Sequence, residues 1–158
     1  MTPSHINDWN PDDGDALQGD VCLFRLPTKI KLAKDATEIA PRDSKLILAE
    51  GEVTGHHHAI WCPEIPRFRD DGLARDLAVE LDVPVGTARL YRSPQTIDAL
   101  VSAGELTTNT LAIGILQIRG EPMVLRHDEH EGIRIPTGDY YVGGQREWDA
   151  AQERRVQD

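Results

Sequence analysis

Thr110-Leu111-Ala112-Ile113-Gly114-Ile115-Leu116-Gln117-Ile118 is the most strand-like stretch of the chain, and its reading decides the fold. Gly120 and Pro122 turn it into Met123–His127, so a hairpin is expected over 110–127. Downstream, Ile133–Trp148 alternates apolar and polar residues and is broken by turn chemistry at Pro136 and Gly138, which predicts two short strands. Upstream, Ser93 followed by Pro94 is an N-cap and first-turn signature for a short helix through Leu100, ended by Gly104. Residues 88–92 read as a strand, and Leu73, Leu77 and Leu81, four apart, predict a further helix of two or three turns. Lys45–Val53 and His56–Cys62 read as two strands joined by a turn or bulge at Gly55, and Asp20–Pro27 as a buried strand. About seven short strands with one or two helical insertions add up to a mainly β chain, a single antiparallel β-barrel or β-sandwich domain. The expected boundaries are an extended N-terminal arm at 1–18, a β-rich domain at 19–149 with its helical insertion at about 63–104, and a tail at 150–158.

At 158 residues the chain suits one domain. Its 17 basic residues against 27 acidic ones give a formal charge of −10, which repels phosphate backbones and anionic lipid. A general nucleic-acid or membrane partner is therefore disfavoured. Met1–Asp20 carries five Asp and neither Lys nor Arg, and no apolar run approaches the roughly 20 residues that span a bilayer. Export through a signal peptide is not expected, which leaves the cytoplasm as the expected location. Cys22 and Cys62 are too few for a disulfide scaffold and lack a CxxC spacing, so two reduced thiols are expected. Within the polar arm Trp9 stands out as an anchor for docking on a neighbouring subunit.

Five of the six histidines fall in two segments, His56-His57-His58 and His127-Asp128-Glu129-His130. Alternate side chains on a strand share a face, so His56 and His58 point together while His57 points away. An HxH pair plus a third His or a carboxylate from a facing strand is a common way to hold zinc, iron or manganese. The candidate ligands are His56, His58, His127 and His130, with Glu129 or Glu52 as a carboxylate partner. The spacing leaves open which of His127, Glu129 and His130 faces inward. It also leaves open a metal-free alternative, a satisfied hydrogen-bond network that pins two strands or an interface.

The glycine near a strand end, the HxH and the later Pro136–Gly138 turn resemble the cupin metal motif in part. Cupins place a Glu a few residues after HxH, whereas Glu64 here follows His58 by six across a proline. Their second motif has a His after the proline-glycine turn, where this chain has Tyr140 and Tyr141. Residues 77–93 resemble the turn and recognition helix of a sigma-factor-like helix-turn-helix, but only Arg89 and Arg92 would be basic there. A helix leading into a strand explains the same residues.

A longer pattern runs through Gly19-Asp20-Val21, Glu50-Gly51-Glu52-Val53-Thr54-Gly55-His56-His57-His58, His127-Asp128-Glu129-His130, Ile135-Pro136-Thr137-Gly138-Asp139-Tyr140-Tyr141-Val142 and Gln145-Arg146-Glu147-Trp148. In that order it resembles a set of small, poorly characterised proteins encoded in tailed bacteriophages and bacterial genomes. The resemblance implies a non-enzymatic structural or assembly protein, such as a capsid decoration protein, with a second copy of itself and a capsid protein as partners. The alternative expectation is a metal-binding protein or cupin-like metal-dependent enzyme built on the histidines.

Overall fold

The computed structural model of the protein describes residues 5–27, 30–50, 56–62, 86–106 and 111–144. Eleven strands and one α-helix lie among them. In chain order these are β1 (Ile6–Asp8), β2 (Ala16–Gln18), β3 (Val21–Arg25), β4 (Thr37–Ile39), β5 (Lys45–Glu50), β6 (His57–Trp61), β7 (Thr87–Arg92), α1 (Pro94–Ser102), β8 (Ala112–Arg119), β9 (Met123–Arg126), β10 (Gly132–Ile135) and β11 (Gly138–Gly144).

The strands form two sheets. The smaller runs β1-β10-β9-β6-β5 and the larger β2-β3-β11-β8-β7-β4, all pairings antiparallel except β1 with β10. Neither sheet closes on itself, so of the two expected architectures the chain takes the sandwich and not the barrel.

The apolar run of β8 follows from its position, because both of its faces are covered. Leu116 and Ile118 join Val21, Leu23, Leu90 and Val142 in the core that packs on Leu46, Ile60, Met123 and Leu125 of the smaller sheet. Ile115 faces the other way, beneath α1, with Ile97, Leu100, Leu26 and Tyr141. A strand covered on one face only would have alternated with polar residues. A bulge between Val142 and Gly143 of β11 shifts the register near the start of β8.

The hairpin expected over 110–127 is not formed. β8 pairs with β11 and β7 in the larger sheet, while β9 pairs with β10 and β6 in the smaller one. The turn at Gly120, with φ +80°, therefore carries the chain across the sandwich. The Pro136–Gly138 turn repeats the crossing from β10 to β11, as Tyr140 donates its hydroxyl to Pro136 O at 2.7 Å and braces that corner. Gly and Pro supply a turn's dihedrals but do not say which sheet receives the next strand.

The expected arm at 1–18 is built into the domain over its described part. β1 lies beside β10, β2 forms a two-residue hairpin with β3, and a short 3-10 turn at Pro11–Asp13 joins them. Trp9, expected to dock on a neighbour, packs on Tyr140 of its own chain at 5.3 Å between ring centroids and donates its indole N–H to Gly14 O at 2.9 Å. The segment offered as a recognition helix is the strand β7 from Thr87 onward, paired on both sides. The leucine-rich helix at 73–81, the turn at Gly55 and the tail at 150–158 lie outside the described residues. The helix signalled by Ser93 and Pro94 is α1, with Ser93 accepting the Thr96 N–H at 3.2 Å.

Candidate functional site

One end of the sandwich gathers the histidines. Antiparallel pairing of β6 with β9 sets Ala59 opposite Arg126 and Ile60 opposite Leu125. One step further along that register places His58 opposite His127. The rings of His58 and His127 lie 4.3 Å apart between centroids, His127 and His130 4.6 Å, His56 and His127 5.7 Å, and His58 and His130 6.3 Å. The four histidines expected as ligands are thus brought together, from segments about 70 residues apart. Glu129, the expected carboxylate partner, stands 3.3 Å from His56 Nδ1. Glu52 and Glu64 lie outside the described residues.

A residue that the sequence reading passed over holds the cluster in place. Gln18, at the tip of β2, is 2% exposed and reaches from the larger sheet to the smaller one. Its amide nitrogen donates to Leu125 O at 3.1 Å and to Glu131 O at 2.8 Å. With both amide hydrogens committed to carbonyls, the amide oxygen must be the atom facing His58 Nδ1 at 2.8 Å. His58 therefore carries its proton on Nδ1 and its lone pair on Nε2. Its only sequence signal is a polar residue just before a Gly-Asp turn in an otherwise apolar strand pair. Gly19 completes the enclosure, since its backbone has φ +54° and a Cβ there would meet His130 Nε2 at 2.8 Å and His58 Cε1 at 3.2 Å.

The surroundings disfavour the charged forms of His58 and His127. Burial, reinforced by His127 and His130, pushes the His58 imidazole down to about 4, with Asp20 opposing. Burial and His130 also lower His127, against the opposing pull of Asp128 and Glu129. His127 is locked in the other sense from His58, because its Nδ1 accepts the Glu129 backbone N–H at 3.0 Å. Among the described residues no group of three or more His, Cys, Asp or Glu has its donor atoms arranged to hold a metal ion in this conformation.

Other candidates fall away from this end. Cys22 and Cys62 are separate, half-buried thiols whose proton affinity is raised by burial. They are not arranged as a reactive pair. Tyr140 and Tyr141, which stand where cupins have a ligand histidine, are core residues on opposite faces of β11. No helix among the described residues is long and apolar enough to cross a membrane.

Fold and site together define a two-sheet β domain with a histidine cluster at one end. A protein-family model described as a domain of unknown function (DUF8820) matches residues 17–92, just under half of the chain. The matched span includes Gln18, Gly19, His56 and His58 and stops before His127. No curated protein and no solved structure matches the chain.

Proposed function

We propose that the domain binds a divalent transition metal ion at the histidine cluster, with His58 as the anchoring ligand and His56 and His130 beside it. The observation that carries this reading is the Gln18–His58 bond. A ligating histidine needs its second nitrogen protonated and held by a fixed acceptor, and a buried amide braced by two backbone carbonyls supplies that. Four imidazoles around a tetrahedral zinc, with Zn–N near 2.0–2.1 Å, would stand with ring centroids roughly 5 Å apart. His58 and His130 stand 6.3 Å apart, wider than that value, and His127 lies 4.3 Å from the one and 4.6 Å from the other. Depressed proton affinity keeps the His58 lone pair available near neutral pH, and Asp20, Asp128 and Glu129 supply negative charge beside His58 and His127. Imidazole donors favour zinc, iron, copper or nickel over magnesium or calcium.

Metal content per chain, measured by mass spectrometry on untagged protein with and without zinc loading, tests the reading. Near-stoichiometric metal that is lost in a His56→Ala, His58→Ala double variant is expected. Far less than one metal per chain after loading would overturn it.

The assembly role, with a second copy or a capsid surface as partner, draws support from Leu17, which is 56% exposed on the outer strand β2. Sedimentation velocity of the wild-type chain beside Leu17→Ser tests it. Self-association weakened by the substitution is expected, and a monomer in both would set the self-association reading aside.

A further inference from the structure

We infer that His127–Glu131 is a metal-responsive latch: His127 is withheld from the metal by the Glu129 backbone N–H, and metal binding requires that bond to open. The inference rests on the metal reading above. A neutral imidazole that accepts a hydrogen bond at Nδ1 has its proton on Nε2, so neither nitrogen has a lone pair to give. His127 nevertheless stands among the other three rings, within 4.3 Å of His58, 4.6 Å of His130 and 5.7 Å of His56. A cation held by those rings would stand beside a buried ring that offers it an N–H donor in place of a lone pair, which is unfavourable.

The conflict is removed if His127 changes tautomer. One proton leaves Nε2, one arrives at Nδ1 through solvent, and the ring stays neutral. Nδ1 then donates and can no longer accept the Glu129 N–H, so that 3.0 Å bond must be released. This also explains why four rings so close together do not present converged donor atoms in the conformation described.

The movement is bounded at both ends. His127 follows directly on β9, and Gly132 begins β10 with its N–H donated to His5 O at 3.1 Å. Between them Glu131 O accepts from Gln18, the residue that orients His58, at 2.8 Å. Asp128 and Glu129 are exposed, so opening the latch changes the acidic surface that the domain presents. A partner that reads that surface would distinguish the loaded domain from the empty one.

Zinc titration of the full chain followed by nuclear magnetic resonance tests the latch. Long-range proton–nitrogen spectra report the His127 tautomer, and amide exchange reports the Glu129 N–H. The expected result is conversion of His127 from Nε2–H to Nδ1–H or metal-bound Nε2, with Glu129 exchange rising about tenfold, as for the loss of one hydrogen bond. If zinc binds near one per chain while His127 keeps Nε2–H and Glu129 exchange is unchanged, the latch is wrong and the metal reading stands. If zinc does not bind, the metal reading fails and takes the latch with it.

Discussion

The N-terminus of α1 and the histidine end of the sandwich are both clusters of polar side chains at the margin of the core, and they are built on opposite plans. At the helix, Ser93 Oγ donates to Asp35 Oδ1 at 2.5 Å and accepts the Thr96 N–H at 3.2 Å. The Gln95 N–H goes to Asp35 Oδ2 at 3.0 Å, and Thr96 Oγ1 accepts the Ala33 N–H at 2.9 Å. Donors and acceptors alternate, and the hydrogen bond from Ser93 is the main reason that the Asp35 carboxyl lies below its ordinary value. A network closed in this way caps a helix and ties down the 33–35 segment, with nothing left to offer a ligand. The histidine end instead collects four groups of one kind, and two of them lower the proton affinity of a third. Like groups that disfavour each other's charge stabilise a fold poorly. Their convergence is what the proposed cation site rests on.

The sharpest break of the comparison is a pair of truncations. His58→Ala is expected to weaken zinc binding by about 100-fold or more, because it removes the anchoring ligand. Ser93→Ala should leave zinc affinity unchanged. Isothermal titration with zinc compares the two, and an equal loss in both would mean that the clusters do not differ in kind.

Acidification of the metal-free protein should have the next largest effect. The unfolded chain takes up a proton at His58 near its ordinary 6.5, whereas the folded chain does so only at about 4. Between these values the unfolded state binds more protons at this residue, so the His58 contribution to stability is constant above pH 6.5 and falls as the pH drops toward 4. The loss attributable to His58 is at most about 3 kcal/mol, read from urea unfolding at pH 7 and pH 4.5 in the presence of a chelator. A His58→Gln variant should lose correspondingly less. An identical pH dependence in wild type and variant would show that His58 does not govern it.

Gln18→Leu should lower zinc affinity by about 10- to 100-fold while leaving His58 in place, because it removes the acceptor that fixes the ring. Unchanged affinity would show that Gln18 only seals the two sheets together. The smallest effect belongs to Ser93→Ala, about 1 kcal/mol in thermal unfolding through loss of the helix cap. A change in metal content in that variant would blur the contrast between the clusters.

Much of this was legible in the residues. The period-2 spacing of His56 and His58 placed both in the cluster, and Ser93-Pro94 gave the start of α1 within a residue. The readings that failed all concern where an element goes. β8 and β9 looked like a hairpin because Gly120 and Pro122 satisfy the turn, yet pairing with β11 and β7 on one side and β10 and β6 on the other assigns them to different sheets. The packing of Trp9 on Tyr140, more than 130 residues away in the chain, had no local signal either.

By itself the sequence determined the β class, the helix start and the shared face of His56 and His58, because these depend on dihedral preference, hydrophobic period and side-chain chemistry within a few residues. Only the tertiary structure decided that β2 crosses to the smaller sheet through Gln18, that His58 and His127 carry opposite tautomers, and that β8 is buried on both faces. Those outcomes are set by hydrogen bonds and packing between segments far apart in the chain, which local preference does not encode.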